Sequence, residues 1–160
     1  LCYYEQIADE KKDLQSIVNA KKTFQSLISK YPDTEFATDA MFKINLIDEI
    51  LAAKEMYLGR YYVDRKKWIS AINRFRVVVD DYETTIYVEE ATHRLVEIYY
   101  ILGIETEAKK YANLLGYNYQ SSKWYEKSFS VFNKNYKKNK IKDIKKENNS
   151  ILKKFKSLFS

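Results

Sequence analysis

Hydrophobic positions recur at helical spacing along most of this chain. Ala20, Phe24 and Leu27 follow one another at intervals of four and three, and Pro32 stands five further on. Ala71, Phe75 and Val78 repeat the first two intervals, and Ala108, Ala112 and Leu115 repeat them again. Intervals of three and four put side chains on one face of an α-helix, so each row marks a helix with one buried side. Between the rows stand turn signals. Tyr31-Pro32-Asp33-Thr34 cannot continue a helix, and its Asp or Thr can cap the next one. The pattern predicts six helices, at about 4–30, 34–63, 66–81, 86–101, 105–116 and 121–136. The second is long because nothing between Thr34 and Val63 breaks it except Gly59.

The rows come in pairs, and the pairs repeat. Leu58, Gly59 and Tyr62 precede Ala71, Phe75 and Val78; Val96 and Tyr99 precede Ala108, Ala112 and Leu115. Tyr62 to Ala71 and Tyr99 to Ala108 are both nine residues. A small residue where two antiparallel helices cross, an aromatic one four positions later and a closing turn are the parts of a tetratricopeptide repeat. Gly59 and Ala71 are expected to face each other at such a crossing. The closing tyrosines Tyr31, Tyr82 and Tyr119 lie 51 and 37 residues apart, so the second unit carries the extended helix. The expected fold is all-α, a right-handed tetratricopeptide-repeat solenoid over residues 1–136. Its units fall at about 1–33, 34–85 and 86–120, with a capping helix at 121–136. Residues 137–160 form a Lys/Asn-rich tail in which Ile151, Leu152, Phe155, Leu158 and Phe159 recur at helical spacing. Buried positions should include Phe24, Phe75 and the stripe Ala71, Ile72 and Val79, leaving Arg74 and Arg76 mostly outward.

Charge changes the picture only at the C-terminus. The chain carries a net charge of +6. Residues 133–160 contain ten Lys against Asp143 and Glu147, a net of +8, so residues 1–132 carry −2. The repeat body therefore has no basic excess, which argues against a nucleic-acid partner there. Cys2 is the only cysteine, so no disulfide forms within the chain. No stretch resembles a signal peptide, and no apolar run reaches transmembrane length. Leu1-Cys2 is not preceded by the basic and apolar residues of a lipidation site, and Cys2 reads as a helix residue.

Catalytic chemistry finds little material. His93 is the single histidine, and its place between Ala91 and Leu95 on a helix favours a structural role. The three glycines are isolated, so no phosphate loop is present. Asp48-Glu49, Asp80-Asp81 and Glu89-Glu90 are adjacent pairs that diverge on a helix, whereas acid–base catalysis needs convergence. They read as solvated faces and helix-end charges. No cofactor, metal site or enzymatic activity is expected, and the extended repeat surface suits a binding scaffold.

Several longer runs are more specific than repeat spacing. They include Tyr3-Tyr4-Glu5-Gln6-Ile7, Leu51-Ala52-Ala53-Lys54-Glu55-Met56, Gly59-Arg60-Tyr61-Tyr62 and Ala71-Ile72-Asn73-Arg74-Phe75-Arg76. Further on stand His93-Arg94-Leu95-Val96-Glu97, Leu114-Leu115-Gly116 and Trp124-Tyr125. In these runs the chain resembles the BamD family of outer-membrane assembly lipoproteins, in its α-proteobacterial form, from about Tyr4 to Phe132. The resemblance implies a non-enzymatic scaffold of the β-barrel assembly machine, on the periplasmic face of the outer membrane. It implies five repeats in the whole protein, of which these are the last three. An N-terminal lipid anchor, and two repeats linked to unfolded outer-membrane substrates, are expected in a preceding region.

The same resemblance implies partners: the periplasmic domains of BamA and other lipoproteins of the machine. It assigns BamA binding to Arg65 and Arg74, with Tyr62 and Arg76 beside them. Two other readings share the helices, a generic tetratricopeptide-repeat adaptor in the cytosol and a periplasmic cell-envelope or cell-division repeat protein. The Arg65–Arg74 block distinguishes the first from the family, and the identity of the partner distinguishes the second.

Overall fold

The computed structural model describes residues 15–120 and 122–132. The part of the expected 4–30 helix before residue 15, the end of the capping helix at 133–136 and the 137–160 tail lie outside the described residues. Those that are described form six helices and no strand: α1 (Gln15–Lys30), α2 (Glu35–Asp64), α3 (Trp68–Asp81), α4 (Val88–Ile101), α5 (Glu105–Asn118) and α6 (Lys123–Ser130). An all-helical chain of paired helices is what the repeat pattern requires. No helix among these residues is long and apolar enough to cross a membrane. The chain divides into two compact units, Leu1–Leu95 and Val96–Ser160.

In the first unit α2 is the organising element. It spans 30 residues, about 45 Å at 1.5 Å per residue. Thr34 caps it, its hydroxyl accepting from the Ala37 amide at 3.3 Å and donating to the Tyr31 carbonyl at 2.8 Å. The N-terminal part of α2 packs on α1 through Ile17, Ala20 and Ile47, with Phe24, Ile50 and Leu51 around them. Phe24 is only half-buried, contrary to expectation, because it packs at the edge of this cluster rather than inside it. Lys21 pairs with Asp48 across the same two helices.

The C-terminal part of α2 packs on α3. Phe75 is fully buried, and a Cβ built on Gly59 would lie 2.5 Å from its Cε1 and 2.7 Å from its Cζ. The atoms nearest Gly59 thus belong to the Phe75 ring and not to Ala71, so an aromatic ring rather than a second small residue fills the crossing. The glycine leaves the space that the ring occupies. On α3 the buried residues are Ala71, Ile72, Phe75 and Val78; Val79 is half-buried.

Several boundaries differ from the sequence pattern for identifiable reasons. Helix α3 begins at Trp68, not at 66, because Lys66 adopts a left-handed φ of 57° that no helix can include. Helix α4 begins at Val88, not at 86, because residues 82–88 are taken up by consecutive turns, the Thr85 amide donating to the Tyr82 carbonyl at 3.1 Å and the Val88 amide to the Thr85 carbonyl at 3.4 Å; the Ile86 amide between them donates to Glu49 on α2 at 3.1 Å. In the second unit α5 runs past Gly116 to Asn118. Gly116 accommodates the Tyr125 ring, 2.8 Å from where its Cβ would be, and so serves packing rather than termination. Gly103 does terminate α4, with a φ of 81° and its amide donating to the Tyr100 carbonyl at 3.1 Å. Helix α6 ends at Ser130. Val131 and Phe132 leave it in a turn, and the Phe132 ring meets Tyr100 edge-on at 5.5 Å. Tyr99 and Tyr111 stack at 5.7 Å over buried Ala108, Ala112 and Leu115.

Candidate partner-binding surface

The turn joining α2 to α3 concentrates cations and aromatic rings. Tyr57, Tyr61 and Arg65 are spaced by four and form one row along the end of α2. The Arg65 guanidinium lies 3.6 Å from the centre of the Tyr61 ring, close enough for a cation–π contact. At an exposed position such a contact is worth about 0.5–1 kcal/mol, which favours this placement of the guanidinium about two- to fivefold. Tyr62 meets Tyr61 edge-on at 5.6 Å. Arg65, Lys66 and Lys67 follow consecutively and are exposed. They stand where the carbonyl end of α2 favours positive charge. The turn is held by the Lys67 amide donating to the Tyr62 carbonyl at 2.9 Å. Ile69, on the first turn of α3, is 67% exposed and adds apolar area beside the cations.

Arg74 and Arg76 lie elsewhere. Arg74 donates to both carboxylate oxygens of Glu55, at 3.4 and 3.1 Å, and is half-buried between α2 and α3. Glu55 precedes Arg65 by ten residues on α2, which puts Arg74 about 15 Å along the helix from Arg65. Arg76 points to solvent and pairs loosely with Asp80 on its own helix at 3.6 Å. The four residues expected at the site therefore separate into a cluster at the turn, Tyr62 and Arg65, and two arginines with partners within the chain.

A second charged group ties α2 to α4. Arg60 holds Glu90 through two hydrogen bonds, Nε to Oε1 at 3.1 Å and Nη2 to Oε2 at 2.7 Å, and Arg94 reaches the same carboxylate at 3.5 Å. Burial pushes the Glu90 carboxyl up. The Arg60 hydrogen bond, with the charges of Arg60 and Arg94, outweighs it and holds the group below its usual range. The same hydrogen bond raises Arg60 against its own burial. Desolvation, with Asp48 nearby, raises the Tyr82 hydroxyl.

Among the described residues no three His, Cys, Asp or Glu side chains could hold a metal. His93 is buried on α4.

Comparison with known proteins bears on what the surface serves. Residues 1–115 match the model of the YfiO family, described as an outer membrane lipoprotein. The chain belongs to the YfiO/BamD family. It is 46% identical over 136 residues to the outer membrane protein assembly factor BamD of Rickettsia prowazekii, covering 85% of this chain and 54% of the relative. The same factor of Caulobacter vibrioides is 38% identical over 135 residues, 84% of this chain and 44% of the relative. The factor of Neisseria meningitidis serogroup A is 30% identical over 111 residues, 69% and 42%. The chain spans about half the length of the curated relatives it matches.

For a YfiO/BamD family member, the structure adds residues that the sequence pattern did not single out. Tyr61 is the platform for Arg65, and Glu55 is the counter-charge for Arg74. Asp48, Glu49 and Glu90, expected to be solvated, each bond to a group on another helix or loop. The four-residue step from Tyr61 to Arg65 was visible in the sequence. The 30-residue separation of Arg60 and Glu90 offered no such signal.

Proposed function

We propose that this chain is part of a non-enzymatic scaffold in outer-membrane protein assembly. In this reading the turn between α2 and α3 is where it docks the periplasmic domains of BamA. Family membership carries the assembly role and supports outer-membrane association. It removes the reason for a generic cytosolic adaptor. The single observation that carries the docking surface is the exposed Arg65 guanidinium stacked on Tyr61, in line with Tyr57 and beside Ile69. A planar cation biased toward one placement, next to apolar area, suits capture of a carboxylate by two parallel hydrogen bonds. Arg74 and Arg76 contribute as flanking charges. For Arg74 an acidic partner must compete with Glu55, so its share is smaller than that of Arg65. Other lipoproteins of the machine, and unfolded outer-membrane proteins, would be met by other parts of the whole protein.

Titration of purified BamA periplasmic domains with wild-type and Arg65→Glu chains tests the assignment. Loss of about 2–5 kcal/mol in binding is expected if Arg65 is desolvated against a carboxylate. Helicity and melting temperature should hardly change, because Arg65 makes no contact that the packing requires. Unchanged affinity would remove the turn as the docking surface while leaving the family assignment intact.

A further inference from the structure

A second stripe runs along the N-terminal half of α2, on the side away from α1. Glu35, Asp39, Phe42, Leu46 and Glu49 follow at intervals of four, three, four and three, which aligns them along one side of the helix. Ile47, on the opposite side with the buried Ala37 and Ala40, packs on α1. Phe42 is 70% and Leu46 48% exposed, and Thr38 and Asn45 beside them are exposed as well. The stripe continues past Glu49 onto the loop before α4. There Glu49 Oε1 accepts from the Ile86 amide at 3.1 Å, and the Ile86 side chain is 78% exposed. Carboxylates surround these three apolar side chains: Glu35 and Asp39 precede them, Glu49 lies among them, and Glu83 stands exposed three residues ahead of Ile86. Lys43, beside the stripe, is paired with Asp39 at 3.2 Å. The other oxygen of Glu49, Oε2, is buried and accepts no hydrogen bond.

We propose that this stripe is a docking site for a basic amphipathic helix of a partner protein. The apolar side chains of that helix cover Phe42, Leu46 and Ile86, and its lysines or arginines meet Asp39, Glu49 and Glu83. The site is separate from the turn around Arg65, about 28 Å further along α2, and does not depend on BamA docking there. A helix suits the surface because α2 has no open row of backbone hydrogen bonds to offer a strand. Side chains at intervals of four and three instead form the ridges between which a second helix packs. Charge selects among the occupants. A second copy meeting the stripe about a twofold axis would set carboxylates against carboxylates, and an anionic lipid surface or a nucleic acid would be repelled. A cation from a partner pairs with Asp39, or gives Glu49 Oε2 the donor that it lacks.

The test titrates the full chain into a fluorescein-labelled helical peptide and follows its anisotropy. The peptide has about fourteen residues, enough to span the stripe, with leucines at intervals of three and four and lysines elsewhere. A control peptide carries glutamate in place of every lysine. The lysine peptide should bind about tenfold or more tightly than the control, and added salt should narrow the difference. Phe42→Ala with Leu46→Ala should weaken its binding by about tenfold or more. Asp39→Asn with Glu49→Gln should bring its affinity toward that of the control peptide. Tyr117→Ser, which removes a largely exposed ring at the end of α5, should leave binding unchanged. None of the substituted side chains belongs to the core, so circular dichroism should show the same helicity in every variant. Equal affinity for the two peptides, a double-alanine variant that binds as the wild type does, or an equal loss in Tyr117→Ser would overturn the proposal. So would a dimer in sedimentation that disappears with Phe42→Ala and Leu46→Ala, which would make the face a contact between copies.

Discussion

Replacing Gly59 by Ala sets two familiar effects against each other. In an exposed helix interior alanine is favoured over glycine by about 1 kcal/mol. Here the added methyl would lie 2.5, 2.7 and 2.9 Å from three atoms of the Phe75 ring. Carbon atoms rest comfortably at about 3.5–4.0 Å, so the overlap is about 1 Å at its worst. The ring is fully buried and cannot retreat into solvent. Overpacking of this kind costs about 1–3 kcal/mol, and three simultaneous clashes place it in the upper half of that range. After the propensity gain, Gly59→Ala should destabilise the chain by about 1–2 kcal/mol. Urea unfolding followed by far-ultraviolet circular dichroism would show it as a lower midpoint at unchanged slope. Shrinking the ring should relieve the clash. Gly59→Ala combined with Phe75→Leu should cost less than the sum of the two single changes, by about 1 kcal/mol. A raised midpoint for Gly59→Ala, or strict additivity with Phe75→Leu, would refute the account of that crossing.

Two further expectations follow from the charged groups and the backbone. Because Glu90 is held below its usual range, its stabilising contribution is complete above the unfolded glutamate value of about 4.3 and is lost as pH falls through the lower folded value. Glu90→Gln should therefore flatten the acid side of the stability–pH curve; an unchanged acid slope would show that the Arg60–Glu90 pair contributes nothing. Lys66→Gly should raise stability by about 0.5–1 kcal/mol in the same urea assay, since glycine adopts the left-handed φ of 57° without the Cβ clash. A loss of stability there would mean that the lysine side chain holds the turn.

Local chemistry was the legible part. The Tyr31–Thr34 turn, the uninterrupted length of α2 and the exit at Gly103 all depend on residues a few positions apart, and periodicity reads these directly. Burial of Phe75 was legible for the same reason. What lay across the fold was not. Gly59 announced a close approach but not its occupant, because Ala71 and Phe75 both lie on the facing side of α3. Gly116 stands at the expected end of the 105–116 helix, and nothing in the sequence brings Tyr125 to it. Arg74 looked outward because a stripe of apolar neighbours cannot reveal Glu55, nineteen residues earlier. At the candidate surface, the row of Tyr57, Tyr61 and Arg65 was within reach of helical spacing. The diversion of Arg74 was not.

The length of α2 also decides where homologous chains can be recombined. Crossovers are ordinarily placed in loops, yet here either flanking loop separates residues that must fit. A join in the Tyr31–Thr34 turn takes Ile17 and Ala20 from one parent and Ile47 from another. A join at Arg65–Lys67 parts Gly59 from Phe75 and Glu55 from Arg74. The residues of α2 that serve α1 end near Leu51, and those that serve α3 begin near Glu55. A chimera that changes parent inside the helix, at Ala52–Lys54, keeps both of these sets together, and the Glu49–Ile86 bond it parts uses a backbone amide that any residue but proline supplies at 86. In this chain the natural seam between inherited parts runs through the middle of a helix.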